Sequence, residues 1–146
     1  MTKTNIKEIL DTAGVFVSTT SGISMMPMLR DRRDTVIVKP ATGRLKKYDV
    51  ALYARGDSYV LHRVIKVLPD SYIIRGDNCI AKEYGITDDD ILGVLVEFYR
   101  KDKHISVNKR TYRAYSAFIC AVHPFVTLKL KVKAALCSVF RKRNRT

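Results

Sequence analysis

Apolar and polar residues alternate in short runs along most of this chain, and each run ends at a turn-forming residue. Short β-branched and aromatic runs bounded by Gly, Pro, Asn or Asp are typical of β-strands. The pattern predicts strands over residues 15–20, 34–39, 48–54, 59–68, 72–75 and 91–99. Because turn signals recur about every ten residues, we expect a mainly β fold, a coiled, barrel-like antiparallel domain.

The first residues follow a helical period instead. Asn5 and Glu8 have the spacing of a capping box, and Gly14 stands where helices commonly end. Apolar residues recur between them at helical spacing: Ile6, Ile9, Leu10 and Ala13. The sequence therefore predicts a short N-terminal helix within residues 1–14, followed by a β domain over residues 15–100.

Charge separates the C-terminal third from the rest. The net charge is +13, yet residues 1–99 hold 14 basic and 13 acidic side chains, whereas residues 100–146 hold 13 basic side chains and one acid. We predict a basic C-terminal tail over residues 101–146, part of it helical and broken near Pro124. We favour attachment of this tail to an anionic membrane surface or to a partner. A disordered tail is the second alternative, and nucleic-acid binding, the third, is not expected.

Cofactor and targeting signals are missing from the sequence. The three cysteines are odd in number and scattered, so they predict neither a disulfide framework nor a zinc site, and no other cofactor is implied. No hydrophobic region of a signal peptide begins the chain, and the longest uncharged run, residues 114–128, is shorter than a membrane span. We expect a membrane-associated or cytoplasmic protein.

Ser24 is the first candidate for chemistry. It follows the strand predicted over residues 15–20 and has Gly22 two residues before it, which leaves room around its hydroxyl group. A nucleophilic serine needs such room, since the attacked carbonyl oxygen must reach free N–H donors. The alternative is an ordinary Ser/Gly turn.

A serine needs a base, and His62 is the natural one. It lies inside the strand predicted over residues 59–68, whereas His104 lies in a charged turn and His123 lies in the tail. An imidazole with a pKa near neutrality suits general-base chemistry, although a strand histidine is often structural. Asp77, in the turn after residue 75, and Glu83 are the acids that could orient the imidazole.

Five segments in order resemble the signal peptidase I and LexA-type superfamily of serine peptidases. They are Ser21–Pro27, Asp49–Tyr53, His62–Ile65, Arg75–Asn78 and Ile91–Val94. The resemblance covers about residues 15–99. Some members use a lysine base, whereas the endoplasmic-reticulum and archaeal-type signal peptidases carry a His-Arg-Val segment, to which His62-Arg63-Val64 is similar.

The resemblance implies residue roles. Ser24 would be the nucleophile, His62 the general base, and Asp77, ahead of Glu83, the orienting acid. Signal peptidases often place an oxyanion-binding serine two residues before the nucleophile. This chain has Gly22 there, so the backbone N–H groups of Ile23 and Ser24 would bind the oxyanion.

The implied function is a serine endopeptidase that cleaves signal or leader peptides of pre-proteins after a small residue. A self-cleaving regulator like the LexA group is an alternative. Against it, the base is a histidine and not a lysine. The only Ala-Gly or Cys-Gly dipeptide at which such a protein could cut itself before Ser24 is Ala13-Gly14, which lies at the end of the predicted helix. A non-catalytic module that binds peptides or membrane through the same fold is a further alternative.

Overall fold

The computed structural model of the chain describes residues 3–143, and the side chains of residues 6–141. Residues 1–2 of the predicted N-terminal helix and residues 144–146 of the predicted tail lie outside the described residues. The elements in chain order are α1 (Lys3–Ala13), β1 (Phe16–Thr19), β2 (Asp34–Lys39), β3 (Val50–Arg55), β4 (Ser58–Val67), β5 (Tyr72–Arg75), β6 (Glu83–Ile86), β7 (Ile91–Arg100), β8 (Lys103–Ser106), α2 (Arg110–Ala121) and α3 (His123–Arg143).

The strands form one antiparallel sheet, so the prediction of a mainly β fold is confirmed. The strand order is β1-β2-β7-β3-β4-β5-β6, and β8 pairs with β7. Strand β7 lies at the centre because its first half pairs with β3 and its second half pairs with β8, while β2 runs along its other side. Four of the strand pairs contain a register shift, which bends and twists a sheet locally.

All six predicted strands are present, with ends that differ by at most two residues. Two further strands, β6 and β8, were missed. Each is only four residues long, and neither has an apolar run, since β6 reads Glu-Tyr-Gly-Ile and β8 reads Lys-His-Ile-Ser. Such strands are held by pairing with a neighbour that is already in place, which composition does not reveal.

The predicted N-terminal helix is present, but its predicted cap is wrong. The helix has already begun at Lys3, so Asn5 lies inside it and is not its N-cap. Gly14 does end the helix: it adopts a φ of 67° and its N–H donates to the carbonyl of Leu10. Ile6 and Leu10 are buried against Phe16, Val38 and Leu52, so α1 covers one part of the sheet.

The boundary predicted at residue 100 does not separate two parts of the structure. It falls at the end of β7, and the chain turns directly into β8, which pairs back onto β7. Helix α2 then packs on the domain through buried side chains: Tyr112, Ser116 and Ile119. Helix α3, which begins just before Pro124, is largely exposed and has no buried side chain after His123 within the described residues. None of the helices described within residues 3–143 is long and apolar enough to cross a membrane.

Candidate active site

The segment that carries Ser24 connects β1 to β2 and is anchored on both sides. Met25, Met28 and Leu29 are buried in a core cluster with Val36 and other apolar side chains of the sheet. Met25 and Met28 therefore fill the core. Burial of the residues that follow Ser24 fixes its backbone against the sheet.

Gly22 and Asp31 close the same segment on its exposed side. Gly22 has a φ of 91°, which favours glycine, and its N–H donates to a carboxylate oxygen of Asp31 at 2.7 Å. The N–H groups of Ile23 and Ser24, in contrast, donate to no other group in the described chain. These are the two donors predicted for an oxyanion, and both are unpaired in the structure.

The turn after β5 meets Ser24 directly. The backbone N–H of Asn78 donates to the carbonyl oxygen of Ser24 at 2.8 Å, and the side-chain amide of Asn78 donates to the carbonyl oxygen of Ile23. Gly76 lies so close that a Cβ atom placed on it would be 2.7 Å from Ser24 O and 3.0 Å from Nε2 of His62. A residue with a side chain at this position would displace one of these groups.

The register of β3 and β4 positions His62. The two strands are joined by the two-residue loop Gly56-Asp57, which sets Ala51 opposite His62 and Tyr53 opposite Val60. Tyr53 and His62 are therefore diagonal neighbours on one face of the sheet, within reach of an aromatic side chain. His62 is almost fully buried, and both His62 and Ser24 line the same pocket.

His62 Nδ1 is held by Glu83 and Tyr53. It lies 3.0 Å from Oε1 of Glu83 and 3.0 Å from the Tyr53 hydroxyl, which itself donates to Oε1 at 2.7 Å. A carboxylate only accepts hydrogen bonds, so the Nδ1 atom beside it carries the proton. Nε2 then keeps its lone pair, which is the state that a general base needs.

Burial favours the neutral form of the His62 imidazole. Burial lowers the pKa of His62 below its usual 6.5, and Glu83 opposes that effect only in part. Burial and the bond to Glu83 raise the pKa of Tyr53, so the phenol keeps its proton and stays a donor. Arg55 lies 3.1 Å from the same Oε1 atom and places a positive charge beside Glu83.

Asp77 has a different partner. Both of its carboxylate oxygens accept hydrogen bonds from Arg63, at 2.8 and 2.7 Å, and both side chains are buried. The prediction that ranked Asp77 ahead of Glu83 as the acid beside His62 disagrees with this geometry. Neighbouring residues of a strand point to opposite faces, so His62 and Arg63 reach different carboxylates.

Arg63 joins four parts of the chain behind the site. Beyond Asp77, its guanidinium donates to Ser116 of α2 at 2.8 Å and to the carbonyl of Tyr48 at 3.1 Å, and it contacts the sulfur of Met28. Met28 belongs to the serine segment, and Asp77 belongs to the turn that contacts Ser24. The buried arginine thus fixes the backbones that carry both halves of the site.

The pocket at the site is open and has a volume of about 400 Å³. Its walls are the outer strand β1, the serine segment and the start of β4. Apolar side chains form the floor: Phe16, Met25, Leu29, Val36, Val38 and Leu52. Within the described residues, no hydrogen bond joins Ser24 Oγ to His62 Nε2.

The other histidines lie elsewhere. His104, on β8, pairs with Glu97 and is half exposed, while His123 is buried at the start of α3. Within residues 3–143, no group of three or more His, Cys, Asp or Glu side chains is placed to hold a metal ion.

Sequence reasoning missed Tyr53, Arg55 and Gly76. The Arg55-Gly56-Asp57-Ser58 turn was a usable signal for Tyr53, because a two-residue hairpin fixes the register and places Tyr53 beside His62. No comparable local signal marks Gly76, whose importance depends on Ser24 and His62 meeting beside it.

Comparison with known proteins does not assign the chain to a group. Models of known protein families give no match, and curated proteins give no significant match either.

Proposed function

We propose that this protein is a serine endopeptidase with a signal-peptidase or LexA-type fold, in which Ser24 is the nucleophile, His62 the general base and Glu83 the residue that orients His62. The observation that carries the proposal is the state of His62. Its Nδ1 is held at 3.0 Å from Glu83, its Nε2 has no hydrogen-bond partner within the described residues, and His62 lines the same pocket as Ser24. A buried imidazole fixed in this tautomer beside a serine is the arrangement that activates a hydroxyl group.

The reaction follows from these groups. Ser24 Oγ attacks the carbonyl carbon of the peptide bond, and its proton passes to Nε2 of His62. The carbonyl oxygen becomes an oxyanion, which accepts hydrogen bonds from the N–H groups of Ile23 and Ser24. His62 then donates its proton to the leaving amine as the C–N bond breaks. Water, deprotonated by His62, hydrolyses the ester on Ser24 and restores the free hydroxyl.

Glu83 and Tyr53 support each proton transfer. When His62 takes the proton from Ser24 it becomes a cation, and the carboxylate at 3.0 Å stabilises that charge. The Tyr53 hydroxyl holds Oε1 in place from its other side at 2.7 Å. Arg63 and Asp77 act through the backbone and touch no reacting atom.

The pocket suits an extended peptide. β1 ends the strand order of the sheet, and within the described residues no strand pairs with its outer edge, which leaves that edge open to a substrate strand. Residues 18–22, at the end of β1, line the same pocket as Ser24. An apolar floor next to Ser24 favours uncharged side chains around the cut. The resemblance, and not the pocket, is the basis for proposing a signal or leader peptide cleaved after a small residue as the substrate.

The proposal is tested by incubating the protein in detergent with a signal-peptide substrate that contains an Ala-x-Ala site and detecting the cleavage products by mass spectrometry. We expect cleavage by the native protein and none by the Ser24→Ala or His62→Ala variant. Ser21→Ala and His104→Ala are matched controls, since Ser21 lines the same pocket and His104 lies on β8 away from it. Both controls should retain activity.

Labelling with a fluorophosphonate tests the activated serine without a substrate. A label at Ser24 that disappears in His62→Ala supports the proposal. If neither cleavage nor labelling occurs in protein shown to be folded, the endopeptidase is rejected and a peptide-binding module of the same fold is favoured. The intact mass of the protein after incubation reports self-cleavage in the same samples.

A further inference from the structure

Helix α3 projects from the domain with most of its surface exposed. Only its first turns touch the rest of the protein: His123 is buried, and Val126, Thr127 and Leu130 are half-buried on the side that faces the domain. Every residue from 131 to 141 is exposed. A helix that extends into water without tertiary contacts has little to stabilise it, because isolated helices are marginal.

The exposed side of α3 carries an apolar stripe. Its members are three or four residues apart and therefore lie on one face of the helix. They are between half and three-quarters exposed: Phe125, Leu128, Val132, Leu136 and Val139. This face is turned away from the side that Val126, Thr127 and Leu130 present to the domain.

Charge identifies what covers this stripe. Residues 123–143 contain six basic side chains and no acid, and no acidic residue follows Asp102 anywhere in the sequence. Lys129 and Lys133 lie beside the stripe at helical spacing. A second copy of the helix would bring the same cations against them, so pairing between copies is opposed by charge repulsion. An anionic surface with an apolar interior satisfies both the cations and the stripe.

We propose that α3 is an interfacial helix that lies on an anionic lipid surface, with its apolar stripe inserted among the acyl chains and its lysines at the headgroups. The predicted membrane-binding region is thereby reduced from residues 101–146 to α3 alone, because β8 and α2 are packed on the domain. The helix lies in the plane of the bilayer and does not cross it.

The position of α3 relates the lipid surface to the pocket. The Nε2–H of His123 donates to the carbonyl oxygen of Cys79 at 2.8 Å, and Cys79 lines the pocket with Ser24. The first residue of α3 is thus bonded to the turn beside the candidate site. A bilayer bound along α3 holds that site close to its surface.

The chain has no tryptophan, so a single introduced tryptophan reports on α3 alone. We would prepare Val132→Trp, on the stripe, and Ser138→Trp, on another face of the same helix. Vesicles of phosphatidylcholine with about 30% phosphatidylglycerol should shift the emission of Val132→Trp to the blue. The emission of Ser138→Trp should move much less.

Flotation with the same vesicles measures binding without a label. We expect binding to the anionic vesicles, weak binding to pure phosphatidylcholine, and release of much of the protein at about 0.5 M NaCl. The double variant Leu128→Gln and Leu136→Gln should bind at least about tenfold more weakly, because it removes two inserted side chains. Ala134→Gln with Ser138→Gln, two exposed positions off the stripe, is the matched control and should bind like the native protein.

Three results would overturn the proposal. The first is no binding to either kind of vesicle by folded protein, and the second is equal loss of binding in the stripe variant and its control. The third is a dimer in solution that dissociates in the stripe variant while vesicles have no effect. All of these readouts are binding measurements, so they stand whether or not Ser24 proves catalytic.

Discussion

Nδ1 of His62 lies 3.0 Å from Oε1 of Glu83, whereas Asp77, six residues earlier in the sequence, binds the adjacent Arg63. Two acids of similar chemistry thus have different surroundings. Glu83 is partly exposed beside Arg55, and Asp77 is buried against a guanidinium. From this division we predict that Glu83 affects the rate of the proposed cleavage and that Asp77 affects the stability of the fold.

Glu83→Gln should lower kcat about 10²–10⁴-fold. A glutamine amide can donate to Nδ1, which would move the imidazole proton to Nε2 and remove the lone pair that accepts the serine proton. Steady-state cleavage kinetics measure the effect, with Asp77→Asn as the comparison, assayed where it is folded. A larger fall in kcat for Asp77→Asn than for Glu83→Gln would contradict the assignment.

The pH profile of kcat/KM should have its acid limb below pH 6.5. Burial lowers the pKa of His62, and the base works only when it is neutral, so activity persists to lower pH than an ordinary histidine allows. Glu83 raises the pKa of His62, so the residual activity of Glu83→Gln should fall off at still lower pH. An acid limb above pH 6.5, or a shift to higher pH in the variant, would argue against His62 as the base.

Gly76→Ala should reduce kcat/KM by about 10²-fold. The added methyl group would lie 2.7 Å from the carbonyl oxygen of Ser24 and 3.0 Å from Nε2 of His62, so one of them must move. Gly43→Ala is the control, because its methyl group meets no atom within 4 Å but its φ of 117° still strains the backbone. Kinetics and thermal unfolding of both variants separate a local clash from a general loss of stability. Equal rates in the two would refute the predicted clash.

Asp77→Ala should lower the free energy of unfolding by about 3–5 kcal/mol. It leaves the fully buried Arg63 without its bidentate partner at 2.7–2.8 Å. Asp70→Ala removes an exposed carboxylate and should have little effect. Urea unfolding provides the comparison, and Asp77→Asn serves if the alanine variant does not fold. Similar unfolding midpoints for Asp77→Ala and Asp70→Ala would mean that the pair contributes little.

Local patterns in the sequence were sufficient for the strand positions, for Gly14 as the end of α1 and for the basic character of the C-terminal third. They were also sufficient to select Ser24 and His62 as candidates, since a serine in a glycine-containing turn and a strand histidine are visible in the sequence itself. Each of these features depends on neighbouring residues or on composition. They could be predicted because they depend on interactions between residues close together in the sequence.

Tertiary structure decided the rest. The choice of Glu83 over Asp77 depends on alternation along β4 and on the pairing of β6 with β5, neither of which composition reveals. The attachment of α2 depends on Ser116 reaching Arg63 across 53 positions of sequence. Gly76 is constrained only because two distant segments meet beside it. Contacts between residues far apart in sequence arise from how the sheet is assembled, so the sequence determined the candidates and the fold determined their partners.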